Sequence, residues 1–90
     1  MKYLIAIILS LSVTNLMAYG YFDMKKDVLK AYKSNKVDRS YRITMKYITK
    51  HPTDLKAQNL LATLYYWDKR YSESESLLKS ILSNKKKYSE

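Results

Sequence analysis

Ninety residues carrying a net charge of +9, with one glycine, one proline and no cysteine, leave room for one small domain. The missing cysteine excludes disulfides, thiolate metal sites, a thiol nucleophile and a lipid-modified cysteine behind a leader. The charge invites a polyanion partner, but fourteen of the seventeen basic residues are lysine and ten residues are tyrosine. Lys, Tyr, Ile and Asn share AT-rich codons, and nucleic-acid readers favour the planar fork of arginine. A GC-poor genome therefore accounts for the charge more simply than a selected polyanion surface, and no nucleic-acid partner is expected.

The chain opens with MKYLIAIILSLSVTNLMAYG. Lys2 precedes an apolar run from Tyr3 to Val13, the length of a signal-peptide core. A membrane-spanning helix needs about twenty apolar residues, and here Ser10, Ser12, Thr14 and Asn15 dilute the run early. Residues 1–20 are expected to be a signal peptide. Cleavage after Ala18 places bulky Leu16 at −3; cleavage after Gly20 places Ala18 and Gly20 at −3 and −1, both small, and is preferred. The competing reading is an uncleaved anchor. Either one takes the remainder out of the cytoplasm, to the periplasm or cell envelope of a bacterium.

A first helix is expected around Phe22 to Lys33. Next, Ser40, Ile43, Thr44, Tyr47 and Ile48 fall at i, i+3, i+4, i+7 and i+8, one face of a second helix. Pro52 cannot continue it, and Thr53 or Asp54 can cap the helix that follows. Ala57, Leu61, Leu64 and Tyr65 form a third apolar face, and WDKRY is a short polar break. Ser74, Leu77, Leu78, Ile81 and Leu82 mark the last helix. Glu73 and Glu75 near its start, with Lys79 and Lys85 to Lys87 near its end, suit the helix dipole. The fold class is all-α, with helices paired in antiparallel hairpins.

The two halves align at an offset of 34 residues. Ser40 stands opposite Ser74, Val28 opposite Ala62, Tyr32 opposite Tyr66 and Val37 opposite Tyr71. Thr44 opposite Leu78 is a polar departure, and Asp27 opposite Leu61 is a poor match. The expected repeats are 21–54 and 55–84, with 85–90 a basic tail or the start of a further repeat. A small residue at Ser40 and Ser74 has a physical reason: a large side chain where two helices cross would push their backbones apart.

A helix–turn–helix unit of period 34 resembles the tetratricopeptide repeat. Gln58, Leu61, Ala62 and Tyr65 stand at the positions of its large residue, Leu-Gly pair and tyrosine. Ser74 and Leu78 stand at the small and large positions of its second helix, which Tyr71 begins. Pro52 holds the closing proline of the first copy, where Lys86 stands in the second. The stretch LATLYYWDKRYSESESLLKSIL is also similar to the repeats that precede YaiO-type outer-membrane β-barrels. In those repeats a tryptophan ends the first helix and a tyrosine follows a polar turn; Trp67 and Tyr71 hold those places. After Ser83 only NKKKYSE follows. Trp67 is expected to close the hairpin end rather than bind a ligand.

The resemblance implies a partner groove lined by Lys25, Leu29 and Tyr32 from the first copy and Lys56, Asn59, Thr63 and Tyr66 from the second. Lys25, Lys56 and Asn59 are similar to part of a clamp for peptide carboxylates, but Leu29 stands where that clamp has asparagine, so this ligand is not implied. Repeat packing is assigned to Ser40, Ser74, Leu61, Tyr65, Trp67, Tyr71 and Leu78. Since about three repeats are usually needed for a stable stack, a protein partner or further repeats are expected to cover the last helix.

No enzyme, metal or cofactor is expected. Asp23, Asp27, Asp38, Asp54 and Asp68 are scattered, His51 stands alone before Pro52, and no glycine-rich phosphate loop exists. Three functional readings follow. The first is an exported scaffold for protein–protein contacts in the cell envelope, in association with an outer-membrane protein. The second is the N-terminal part of a longer outer-membrane protein. The third is a small secreted cationic protein that binds anionic envelope polymers or a membrane surface. Lysines spread over both copies and bunch only at 85–87, which favours the first. Partner identity and oligomeric state stay open.

Overall fold

A computed structural model describes residues 19–89; of the expected leader, residues 1–20, all but Tyr19 and Gly20 lie outside the described residues, as does Glu90. The described residues are all-α: α1 (Tyr21–Lys33), α2 (Val37–Lys50), α3 (Leu55–Trp67) and α4 (Tyr71–Ser89). α1 pairs with α2 and α3 with α4, α2 packs against α3, and α1 also touches α3. No helix among the described residues is long and apolar enough to cross a membrane.

The helix starts recur at an offset of 34 residues, but the ends of the second helices do not: α2 has fourteen residues and α4 nineteen, running on through the expected tail to Ser89. α1 and α3 are thirteen residues each, and Tyr21 and Lys33 correspond to Leu55 and Trp67. The turns recur as well. Asn35 and Lys69 both adopt the left-handed backbone, at φ 64° and 62°. The Asn35 N–H donates to the Tyr32 carbonyl and the Lys36 N–H to the Ala31 carbonyl; Lys69 and Arg70 do the same to Tyr66 and Tyr65. Each turn is a Schellman ending that satisfies carbonyls at a helix C-terminus.

The helix starts differ. α1 begins at Gly20, which has no side chain to cap with, although the Asp23 carboxylate accepts from the Gly20 N–H at 3.1 Å. α3 begins after Pro52, and it is Asp54 rather than Thr53 that caps it. Its carboxylate accepts from the N–H groups of Lys56 (3.0 Å) and Ala57 (3.3 Å).

Met24, Val28, Tyr47, Ala57, Leu60 and Leu64 form the core, with Tyr21, Tyr32, Tyr41, Ile43 and Ile48 packed against it. α3 is buried over a wider arc than its expected face, at Leu60 and Ala62 as well as Ala57, Leu61 and Leu64. It touches the other three helices, so no single stripe describes it.

Among the described residues, the buried polar side chains Ser40, Thr44 and Ser74 all have acceptors. Ser40 donates to the Val37 carbonyl (2.5 Å) and Thr44 to the Ser40 carbonyl (2.8 Å), both within α2. Ser74 instead donates across its hairpin to the Ala62 carbonyl (2.8 Å). The two serines thus occupy equivalent places and brace different backbones.

Candidate functional site

α1 and α3 run parallel. At their starts, the Lys56 ammonium lies 5.4 Å from the Tyr21 ring centre and 5.8 Å from that of Phe22. At their ends, the Tyr32 and Trp67 rings pack at a tilt of 48°, their centres 5.1 Å apart. This places the seven expected groove residues on two adjacent parallel helices. Lys25, Leu29, Tyr32 and Thr63 are half-buried; Lys56, Asn59 and Tyr66 are exposed.

In α3 those residues have the spacing 56, 59, 63, 66, and in α1 the same stripe reads 22, 25, 29, 32. Phe22, the counterpart of Lys56, belongs to the stripe and was not expected there. It is 75% exposed and meets Tyr21 edge to face at 5.4 Å. Its signal in the sequence was the 34-residue offset from Lys56.

The face therefore offers aromatic rings at both ends, with lysine, amide and hydroxyl groups between them. The Thr63 hydroxyl is already directed to the Asn59 carbonyl at 2.9 Å.

Among the seven residues assigned to repeat packing, Ser40, Ser74 and Leu61 are buried and Tyr65 is half-buried. Trp67, Tyr71 and Leu78 are exposed, at 43%, 55% and 41%. Each has a local explanation. Trp67 reaches across to Tyr32 of the other hairpin, where it ties α1 to α3. Tyr71 meets Tyr66 edge to face at 5.3 Å. Leu78 lines an open groove between α3 and α4 together with Asn59, Thr63 and Tyr66.

A second cluster joins the hairpins at the α3–α4 turn. The Tyr41 hydroxyl lies 3.2 Å from both the Leu64 carbonyl and the Asp68 carboxylate. Tyr41 and Tyr65 stack at 5.5 Å, with the Arg70 guanidinium 4.7 Å from the Tyr65 ring centre. Arg70 also forms a forked ion pair with Glu73 in the first turn of α4. That pairing holds the Glu73 carboxyl below its ordinary range and the guanidinium above its own. Burial pushes the Tyr41 phenol up, and Asp68 adds to the shift. Burial does the same to Tyr47, whose hydroxyl donates to Asp54 at 3.3 Å. These groups knit helices together, and Tyr41, Tyr65 and Arg70 also line an open cleft with Asp38, Arg42 and Met45.

His51 stacks on Tyr47 at 4.3 Å, and no group of three His, Asp or Glu comes together among the described residues. Set beside known proteins, the chain matches no family model, no curated protein and no solved structure.

Proposed function

We propose that this chain is a tetratricopeptide-like repeat module, exported to the cell envelope, that holds a protein partner rather than transforming a substrate. The observation that carries the reading is the 34-residue recurrence of helix starts, left-handed turn residues and buried serines. A unit that repeats at this period buries its apolar faces against copies of itself and leaves its first helices lined up as a binding face. The stripe from Phe22 to Tyr32 and the matching stripe from Lys56 to Tyr66 form that face here.

The reading stands on the helix crossings, so Ser74→Trp tests it. Ser74 is 4% exposed and its hydroxyl reaches the Ala62 carbonyl. An indole there is expected to force α3 and α4 apart, at a cost of about 3 kcal/mol or more from overpacking and the lost hydrogen bond. Circular dichroism and thermal melting read the effect. A variant that keeps its helicity and melting temperature refutes the repeat packing.

A further inference from the structure

The groove between α3 and α4 corresponds, 34 residues on, to the slot between α1 and α2 that α3 occupies. In the first hairpin Val28 and Thr44 are fully buried. In the second, Leu78, counterpart of Thr44, is 41% exposed, and Leu82, counterpart of Ile48, is 67% exposed. The outward face of α4 thus lacks the cover that α2 has.

The other end of the molecule cannot supply that cover. α3 packs with Ala57, Leu60, Leu61 and Leu64. The same positions of α1 are Asp23, Lys26, Asp27 and Lys30, all exposed. Laying the leucines of α4 against these groups would strip water from four charges that a leucine cannot pair. Head-to-tail stacking of copies is therefore disfavoured, and the molecule has one polar end and one apolar end.

The apolar end is complementary to itself. Tyr71, Glu75, Leu78, Leu82 and Lys85 are spaced by four, three, four and three residues, the heptad spacing of a helix–helix seam. Reversing this stripe about position 80 sets Leu78 opposite Leu82 and Glu75 opposite Lys85. A parallel pairing would set Glu75 against Glu75 and Lys85 against Lys85. Glu75 now meets Lys79 on its own helix at 3.2 Å, but both side chains are at least 70% exposed, and so open a pair is worth little.

We propose that α4 is a homodimer seam: two copies pair antiparallel through Leu78 and Leu82, about a two-fold axis at the level of Ser80, with Glu75 of each copy facing Lys85 of the other. This deepens the protein-contact reading and rests on it. The surface is isologous and closes on itself, so it gives a dimer and not a filament.

Sedimentation of the full chain at about 0.15 M salt, where charges beyond about 8 Å are screened, tests the seam. The wild-type chain is expected to dimerise and Leu82→Glu to sediment as a monomer. Glu75→Lys and Lys85→Glu should each weaken the dimer roughly tenfold by placing like charges face to face, and the double exchange should restore it. Positions 75 and 85 are about 15 Å apart along one helix, so rescue can arise only between copies. A wild-type monomer, a dimer that survives Leu82→Glu, or a double exchange no better than the single ones overturns the seam. These outcomes leave the repeat packing untouched, because Ser74→Trp reports on the fold alone.

Discussion

The two hairpins share turn geometry, helix starts and a buried serine, yet one is enclosed where the other is open. α2 lies between α1 and α3, and its Thr44 and Tyr47 are buried. α4 packs on α3 alone among the described helices, and its Leu78 and Leu82 reach solvent. The polar residue of the pair lies in the closed slot and the apolar one in the open slot. Thr44 can be buried because its hydroxyl is turned onto the Ser40 carbonyl of its own helix. The two hairpins thus agree in their turns and helix starts, while their side chains differ with the neighbour each one meets.

Removing a shared core residue should have the largest effect on this comparison. Leu64 is 1% exposed where α3 meets the first hairpin. Leu64→Ala is expected to cost about 3 kcal/mol in urea unfolding, against less than about 0.5 kcal/mol for Leu82→Ala measured on the monomer. Equal losses would mean that α4 is as well covered as α3.

Exchanging the residues that differ sharpens the contrast. Thr44→Leu gives the first hairpin the side chain of the second and should destabilise by about 1–3 kcal/mol through overpacking. Leu78→Thr, the reverse exchange, should change monomer stability by less than about 0.5 kcal/mol. Melting curves of the two variants decide whether the slots differ in fill.

The helix starts differ by a smaller amount. Asp54→Ala removes two accepted N–H bonds and the partner of the Tyr47 hydroxyl, and should cost about 1 kcal/mol. The turns should differ least. Lys69 occupies a left-handed position that Asn35 fills in the other copy, and asparagine tolerates that backbone better. Lys69→Asn is expected to stabilise by up to about 0.5 kcal/mol and Asn35→Lys to destabilise by a similar amount, both read as shifts in urea midpoint.

The tyrosines add a graded pH effect. Burial raises the pKa of Tyr21, Tyr41 and Tyr47 in the folded chain. The folded state therefore holds protons that the unfolded chain releases above pH of about 10. Stability from these groups is complete below that pH and is lost as the pH rises through the folded values. A melting temperature that stays flat across this alkaline range would contradict it.

Much of this was legible in the sequence because the signals are local. Pro52 and Asp54 mark a helix boundary through missing and supplied hydrogen bonds, and the serines mark crossings through size. What escaped depends on the angle between hairpins. Phe22 was hidden because the mismatch of Asp27 with Leu61 weakens the alignment of the first helix. That same mismatch is the polar end of the molecule, a feature of the fold rather than noise in the pattern. Trp67 was expected at the end of its own hairpin, and its contact with Tyr32 follows from the parallel packing of α1 on α3. Leu60 escaped because a helix enclosed by three others has no single apolar stripe to read.

The packing of each helix against chain neighbours carries a consequence for speed. Among the described residues, every helix contact joins elements that are consecutive or one apart, as α1 and α3 are. No distant segments must find each other before native contacts reward the search. Helical topologies of this kind fold in about microseconds to milliseconds, since only short loops must close. The first hairpin can form while the second is still extended, and each turn that closes leaves the next one within reach.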